Sequence, residues 1–234
     1  MPSGLPGGAC FHEEIAAGWT AGYVRGGFAR RLDLIRLTLT RHVRPGDSWV
    51  DLGCGSGVLC RELLALGASV VGVDGSPRML SHAREQIGSE YAGRVSWIQS
   101  DVQSIDALKN GAFDGVLCSS VVEYLDRPHA LLQEVARILR PSGILVISLP
   151  PTLSVVRVFQ KGIRAFMTVF GKDTFTYLSV SRLEISPRAI DRLLHEAGFL
   201  VIRSTRFDPV LPMALLRLVR PALLVVEARK LERL

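Results

Sequence analysis

Cysteine is scarce, and none of it builds a framework. Cys10, Cys54, Cys60 and Cys118 contain no C-x-x-C pair, and no histidine completes a zinc spacing. That excludes a disulfide-stapled scaffold and a zinc module. The last three lie in apolar segments and read as small core residues, which points to a reduced, cytoplasmic compartment. Aromatic residues make up only 7% of the chain. No apolar run approaches the ~20 residues that a membrane-spanning helix needs. The first residues, MPSGLPGGACFHEE, lack the charged and apolar regions of a secretory signal. Acidic residues are outnumbered, leaving a net charge of +6. Such a balance suits nucleic acid, an anionic membrane or an acidic substrate, or reflects a compositional preference for arginine.

What is present is an ordinary soluble-domain composition. The chain has 234 residues, is 48% hydrophobic and 21% charged, and has a mean hydropathy of +0.27. That length fits one α/β domain with some decoration. Residues 1–11 are rich in Gly and Pro and read as mobile. Residues 12–43 read as helical with a break at Gly26–Gly27, because Leu32, Ile35, Leu39 and Val43 recur at helical spacing.

From Ser48 the period changes. Short apolar runs at 48–52, 69–74, 95–99, 113–118 and 144–149 read as strands, and helical stretches separate most of them. Arg140-Pro141-Ser142-Gly143 reads as a stop before the fifth. Strands alternating with helices predict a parallel, doubly wound sheet. Residues 151–186 break the alternation and read as an inserted pair of helices. A helix from Ser186-Pro187, a strand over 199–204, a short helical stretch near 213–218 and a strand over 222–228 complete the pattern.

In such a sheet, ligands bind beyond the carboxyl ends of the strands. Gly53, Gly55 and Gly57 follow the first strand as G-x-G-x-G, not the dinucleotide G-x-G-x-x-G. Glycine there lets the chain turn tightly and approach a ligand. The same pattern also fits a purely structural turn. Asp74 ends the second strand, where a carboxylate accepts from ribose hydroxyls or caps the next helix. Asp101 ends the third strand, where it accepts from an adenine amine or closes a turn. Asp51 precedes the loop and either orients it or attracts a cationic ligand.

These residues carry a resemblance. Val50 to Gly57, then Gly72-Val73-Asp74-Gly75-Ser76, then Ser100-Asp101-Val102 and Phe113-Asp114-Gly115-Val116-Leu117, are similar to the motif series of class I methyltransferases. They most resemble the group of ubiquinone-biosynthesis O-methyltransferases and related small-molecule enzymes. The resemblance covers roughly residues 20–205. It implies a Rossmann-like sheet of seven mostly parallel strands with helices on both faces and an antiparallel last strand. It implies S-adenosylmethionine as cofactor. Residues 44–234 would form the methyltransferase domain, 1–43 an arm over the cofactor, and 151–186 a lid. Asp51, Gly53, Cys54, Gly55 and Gly57 would line the methionine part. Asp74, Gly75, Ser76 and Met79 would surround the ribose, Asp101 and Val102 the adenine. Ser119 would lie beside the methionine moiety, and Tyr23 and Arg31 would fold over the cofactor and touch its carboxylate.

The chemistry leaves few candidates. Methyl transfer is an in-line displacement, so positioning can supply much of the catalysis. Many relatives carry Glu-His in the loop after the fourth strand. This chain has Glu123-Tyr124, which weakens any claim of a histidine base. Glu123 reads as a base or as a carboxylate satisfying loop amides. His12 and Tyr23 in the arm, with Tyr124, complete the candidates. His42, His129 and His195 read as exposed or remote. No residue set reads as a metal site. The acceptor is expected to be a small organic molecule, aromatic or lipophilic, methylated on oxygen. Transfer to nitrogen or carbon, methylation of RNA or protein, and a non-catalytic cofactor-binding subunit are the rivals. No nucleic-acid module is visible. The insertion mixes Val155, Val158, Phe159, Ile163, Phe166 and Phe170 with Arg157, Lys161, Arg164 and Lys172. It reads either as a lid on an apolar acceptor, touching a membrane surface, or as a helix packed on the sheet.

Overall fold

Glycine-bounded apolar runs form one sheet in a computed structural model, which describes residues 26–152, 154–170, 181, 183–211, 216 and 219–232. The elements are α1 (Gly26–His42), β1 (Ser48–Leu52), α2 (Val58–Ala65), β2 (Ser69–Asp74), α3 (Pro77–Gln86), β3 (Val95–Gln99) and β4 (Phe113–Cys118). They continue as α4 (Pro128–Ile138), β5 (Leu139–Leu149), α5 (Val155–Val169), α6 (Pro187–Glu196), β6 (Phe199–Phe207) and β7 (Leu223–Lys230). The strand order is β3-β2-β1-β4-β5-β7-β6. The pairs from β3 to β5 are parallel. β7 runs antiparallel to both β5 and β6. The last strand is therefore not at the edge but inserted between the two.

Alternation along the strands sorts side chains to two faces. Val50, Leu52, Val116, Leu145 and Ile147 pack with α4 and α6 on one side. Trp49, Val70, Leu117, Val146 and Val225 pack with α1 and α2 on the other. The Trp49 ring lies on β4 where only glycine fits, because a Cβ on Gly115 would stand 2.4 Å from it. Proline sits in the first turn of α3, α4 and α6, and Ser76 and Ser186 cap two of them by accepting from Met79 N and Ala189 N.

Several expectations change. The stop at Arg140–Gly143 is instead an irregular run inside β5, where the register against β4 shifts between Phe113 and Gly115 and Ser142 turns to φ 60°. The strand hydrogen bonding resumes at Ile144, so the turn signal marks a bulge. α1 starts at Gly26, while residues 12–25 and residues 171–180 of the expected helical insertion lie outside the described residues. So does most of the 213–218 stretch. His42 is not exposed. Its Nε2 lies 2.7 Å from Glu227 Oε2, and Arg41 Nη2 donates to Glu227 Oε1 at 2.6 Å. This buried carboxylate on β7 ties the carboxyl end of α1 to the sheet. Among the described residues, no helix is long and apolar enough to cross a membrane.

Candidate active site

The strand order reverses between β1 and β4, so the loops leaving these strands part and open a crevice at their carboxyl ends. The first loop holds the three glycines. Gly53, Gly55 and Gly57 adopt φ of 69°, 52° and 80°, a region costly for other residues. At Gly53 space matters as well, since a Cβ would stand 2.2 Å from Val121 Cγ2 in the loop after β4. The two loops that frame the crevice meet there. Gly53 N and Cys54 N both donate to Val73 O, at 2.8 and 3.0 Å.

Asp74 shapes the loop directly. Its Oδ2 accepts from Gly55 N at 2.8 Å and its Oδ1 from Ser76 N at 2.8 Å. The helix cap is Ser76, not Asp74. Each carboxylate oxygen has a second lone pair, so these bonds leave acceptor capacity for ligand hydroxyls. Asp101 Oδ1 accepts from Gln103 N at 2.9 Å, closing a local turn. Val102 and Met79 turn their side chains into the interior. Gly75 is half-buried beside Asp74.

Asp51 is 1% exposed at the end of β1. Its Oδ2 accepts from Cys60 Sγ at 3.2 Å, bracing α2 beneath the loop. Burial raises its carboxyl to about 7; the Cys60 hydrogen bond opposes this and the charge of Asp74 adds to it. Burial also pushes the thiols of Cys54 and Cys60 up, which keeps them protonated and unreactive.

Opposite this wall lies a polar cluster of which the sequence singled out only Arg31, Ser119 and Glu123. Arg31, 9% exposed on α1, donates from Nη1 to Ser120 Oγ at 2.7 Å. Ser120 holds φ 57°, and its amide donates to Ser148 Oγ at 2.8 Å. Ser119 Oγ lies 3.4 Å from the same Ser148 oxygen. Glu123 is 5% exposed, and its Oε2 has no hydrogen-bond partner. Burial raises its carboxyl; its own amide and the charges of Arg157 and Arg31 pull the other way. Arg157, in the first turn of α5, donates from Nη2 to Ser181 Oγ at 2.8 Å. Ser120, Ser148 and Arg157 carry no sequence motif, and only the fold brings them together.

Tyr124 is half-buried beside Glu123, whereas His129 and His195 are exposed on α4 and α6. His12 and Tyr23 lie outside the described residues. A hollow of about 210 Å³ lined by Ser48, Ser69, Arg94 and Phe113 opens at the amino ends of the strands. That is the wrong end of such a sheet for the crevice chemistry.

The residues fit S-adenosylmethionine. The glycine cradle would be filled by any Cβ at Gly53, and three carboxylates on successive strands suit a cationic ligand carrying ribose and adenine. Fold and crevice thus make a Rossmann-like frame with a ligand crevice at its switch point. Residues 50–147 match the family model described as "Methyltransferase domain". Over those residues the chain is similar to that domain. A curated relative, a ubiquinone biosynthesis O-methyltransferase of Xanthomonas oryzae pv. oryzae, is 34% identical over 118 residues, covering 50% of this chain and 48% of the relative. The chain spans about half the length of the curated relatives it matches. Among solved structures, a magnesium protoporphyrin IX methyltransferase from Synechocystis PCC 6803 with bound S-adenosylhomocysteine has a TM-score of 0.65 at 19% identity, covering 87% of this chain and 83% of its own. The cyclase SpnF has a TM-score of 0.70 at 16% identity, covering 99% and 100%. At such identities the likeness is one of fold.

Proposed function

We propose that the chain transfers a methyl group from S-adenosylmethionine to an oxygen of a small, apolar organic acceptor. The observation that carries this reading is the Asp74 carboxylate joined to Gly55 and Ser76 at the switch point. The names of the curated relatives support oxygen as the acceptor atom. When bound, the cofactor supplies an electrophilic methyl on a sulfonium. Asp74 and the glycine loop hold the ribose and methionine parts. Asp51 offers the cationic end a negative charge. Arg31 and the Ser119–Ser120 loop border the methionine carboxylate, and Asp101 borders the adenine. Residues 1–43 form an arm over the cofactor, and 151–186 cover the acceptor. Catalysis rests mainly on proximity and alignment, with an acceptor that loses its proton readily, such as a phenol, enol or carboxylic acid. Glu123 is the carboxylate nearest this role. The cysteines fit a reduced, cytoplasmic setting.

Calorimetry with S-adenosylmethionine, its demethylated product and NAD tests the reading. The first two should bind in the micromolar range, about −8 kcal/mol. Tight NAD binding without S-adenosylmethionine binding would falsify it. A [4+2]-cyclase, SpnF, shares this fold, and fold alone does not fix the reaction, so a second reading is a cofactor-binding subunit without methyl transfer. Cofactor binding with no methyl transfer to any acceptor would select it.

A further inference from the structure

Among the described residues, two that are not glycine hold a positive φ, Ser142 at 60° and Ser120 at 57°. Ser142 is exposed in the β5 bulge. Ser120 lies in the loop after β4, at the crevice. A residue with a side chain is strained in this region, and it stays there only when its surroundings hold it. Such strain gathers at ligand clamps.

Three contacts hold this loop. β4 stops at Cys118, whose partner in β5 is Ile147. Ser148 is the next residue of β5, so on that side it meets the loop instead of a strand. The Ser120 amide donates to Ser148 Oγ at 2.8 Å. Ser120 Oγ accepts from Arg31 Nη1 at 2.7 Å. The next residue, Val121, is fitted against Gly53, where a Cβ would stand 2.2 Å from Val121 Cγ2. Ser148 itself is 2% exposed and sits between the buried Ile147 and Leu149. A hydroxyl is costly in such a place unless it is bonded, and an alanine would fit the strand as well. What the hydroxyl adds is an acceptor for the Ser120 amide, with Ser119 Oγ 3.4 Å away.

We infer that Ser148 is a positioning residue for the cofactor site, its hydroxyl holding the loop 119–121 in the strained shape that borders the methionine part. The inference rests on the reading of the crevice as an S-adenosylmethionine site. Ser148 acts on the ligand through the loop. Without its bond Ser120 relaxes toward negative φ, and the binding-competent loop becomes a fraction of the population. Apparent affinity falls by that fraction.

The test is calorimetry with S-adenosylhomocysteine on the full chain and three variants. Ser148→Ala should weaken binding about tenfold, the loss expected when a buried amide loses its acceptor. Glycine adopts a positive φ without strain, so the loop of Ser120→Gly keeps its shape with less help. Added to Ser120→Gly, Ser148→Ala should therefore cost less than about threefold. The hydroxyl lost in Ser120→Gly is absent from both sides of that second comparison. A merely structural serine would cost the same in both backgrounds, or lower the melting temperature without touching affinity. Either result overturns the inference. If Ser148→Ala misfolds, Ser148→Cys, with a weak acceptor in place of the hydroxyl, is judged by the same criteria. A parent chain that binds no S-adenosylhomocysteine removes the reading of the crevice, and the inference with it. A parent chain that binds it, with affinity unchanged in Ser148→Ala, overturns the inference alone.

Discussion

Gly55 and Asp74 stand nineteen residues apart and are joined by one hydrogen bond, from Gly55 N to Asp74 Oδ2 at 2.8 Å. That bond ties the apex of the glycine loop to the tip of the neighbouring strand. The same carboxylate therefore builds the loop that borders the crevice.

Asp74→Ala should consequently lose more than a ligand contact. Charge-assisted bonds contribute ~1.5–3 kcal/mol each, so S-adenosylmethionine affinity should fall at least tenfold. Asp74→Asn keeps one acceptor oxygen and should fall less. Calorimetry on the two variants gives the order, and equal affinity for Asp74→Ala and the parent chain contradicts the site.

Asp51 predicts a proton linkage. Its carboxyl is raised to about 7 by burial, so the fold keeps a proton that the unfolded chain sheds. An unfolded aspartate titrates at about 3.9. The folded state thus binds more protons between these values, and stability falls as pH rises from about 4 to about 7. Asp51→Asn should flatten that slope. A cationic ligand favours the ionised form, so cofactor binding near neutrality should release a proton from Asp51. Titration calorimetry in two buffers of different ionisation enthalpy reads the release. An identical buffer dependence in the parent chain and Asp51→Asn would sink the idea.

Glu227 predicts the opposite slope. Burial pushes its carboxyl up, but hydrogen bonds from Arg41 and His42 win and hold it below the usual glutamate value. Its stabilisation is therefore present at neutral pH and is lost as pH falls below that usual value. Glu227→Ala leaves Arg41 and His42 without this carboxylate and should cost about 3–5 kcal/mol by urea unfolding. The loss should shrink in acid. A loss independent of pH contradicts the pairing.

Glu123→Gln separates a base from an alignment group. A true general base contributes ~10²–10⁴-fold to kcat. We expect a fall of less than tenfold, together with a raised acceptor KM, because the charges of Arg157 and Arg31 act on the buried Glu123 carboxyl and so make it an alignment group. A fall of the larger size in a variant that still folds and binds cofactor makes Glu123 the base. Tyr124→Phe should change kcat little by the same assay.

The sheet was legible because its parallel strands are short apolar runs bounded by turn and polar residues, and the run Ser69–Asp74 appears in the fold with the bounds expected from sequence. The bulge at Arg140–Gly143 was not, since Pro-Ser-Gly signals a stop whether or not pairing resumes beyond it. The placement of β7 between β5 and β6 depends on long-range pairing that no local pattern encodes. In the site, Gly53, Asp74 and Asp101 announce themselves by their positions at strand ends. Ser148 and Arg157 do not, because a lone serine in a strand and a lone arginine in a helix acquire meaning only from what packs against them. His42 misled because arginines flank it in sequence while its partner, Glu227, lies 185 residues away.

The most direct test supplies S-adenosylmethionine labelled in its methyl group to the purified chain with cell extract, then separates small molecules, RNA and protein. The account predicts label in the solvent-extractable small-molecule fraction, reduced at least tenfold by Asp74→Ala at subsaturating cofactor. Label confined to RNA or protein, or no transfer by a chain that binds the cofactor, contradicts it.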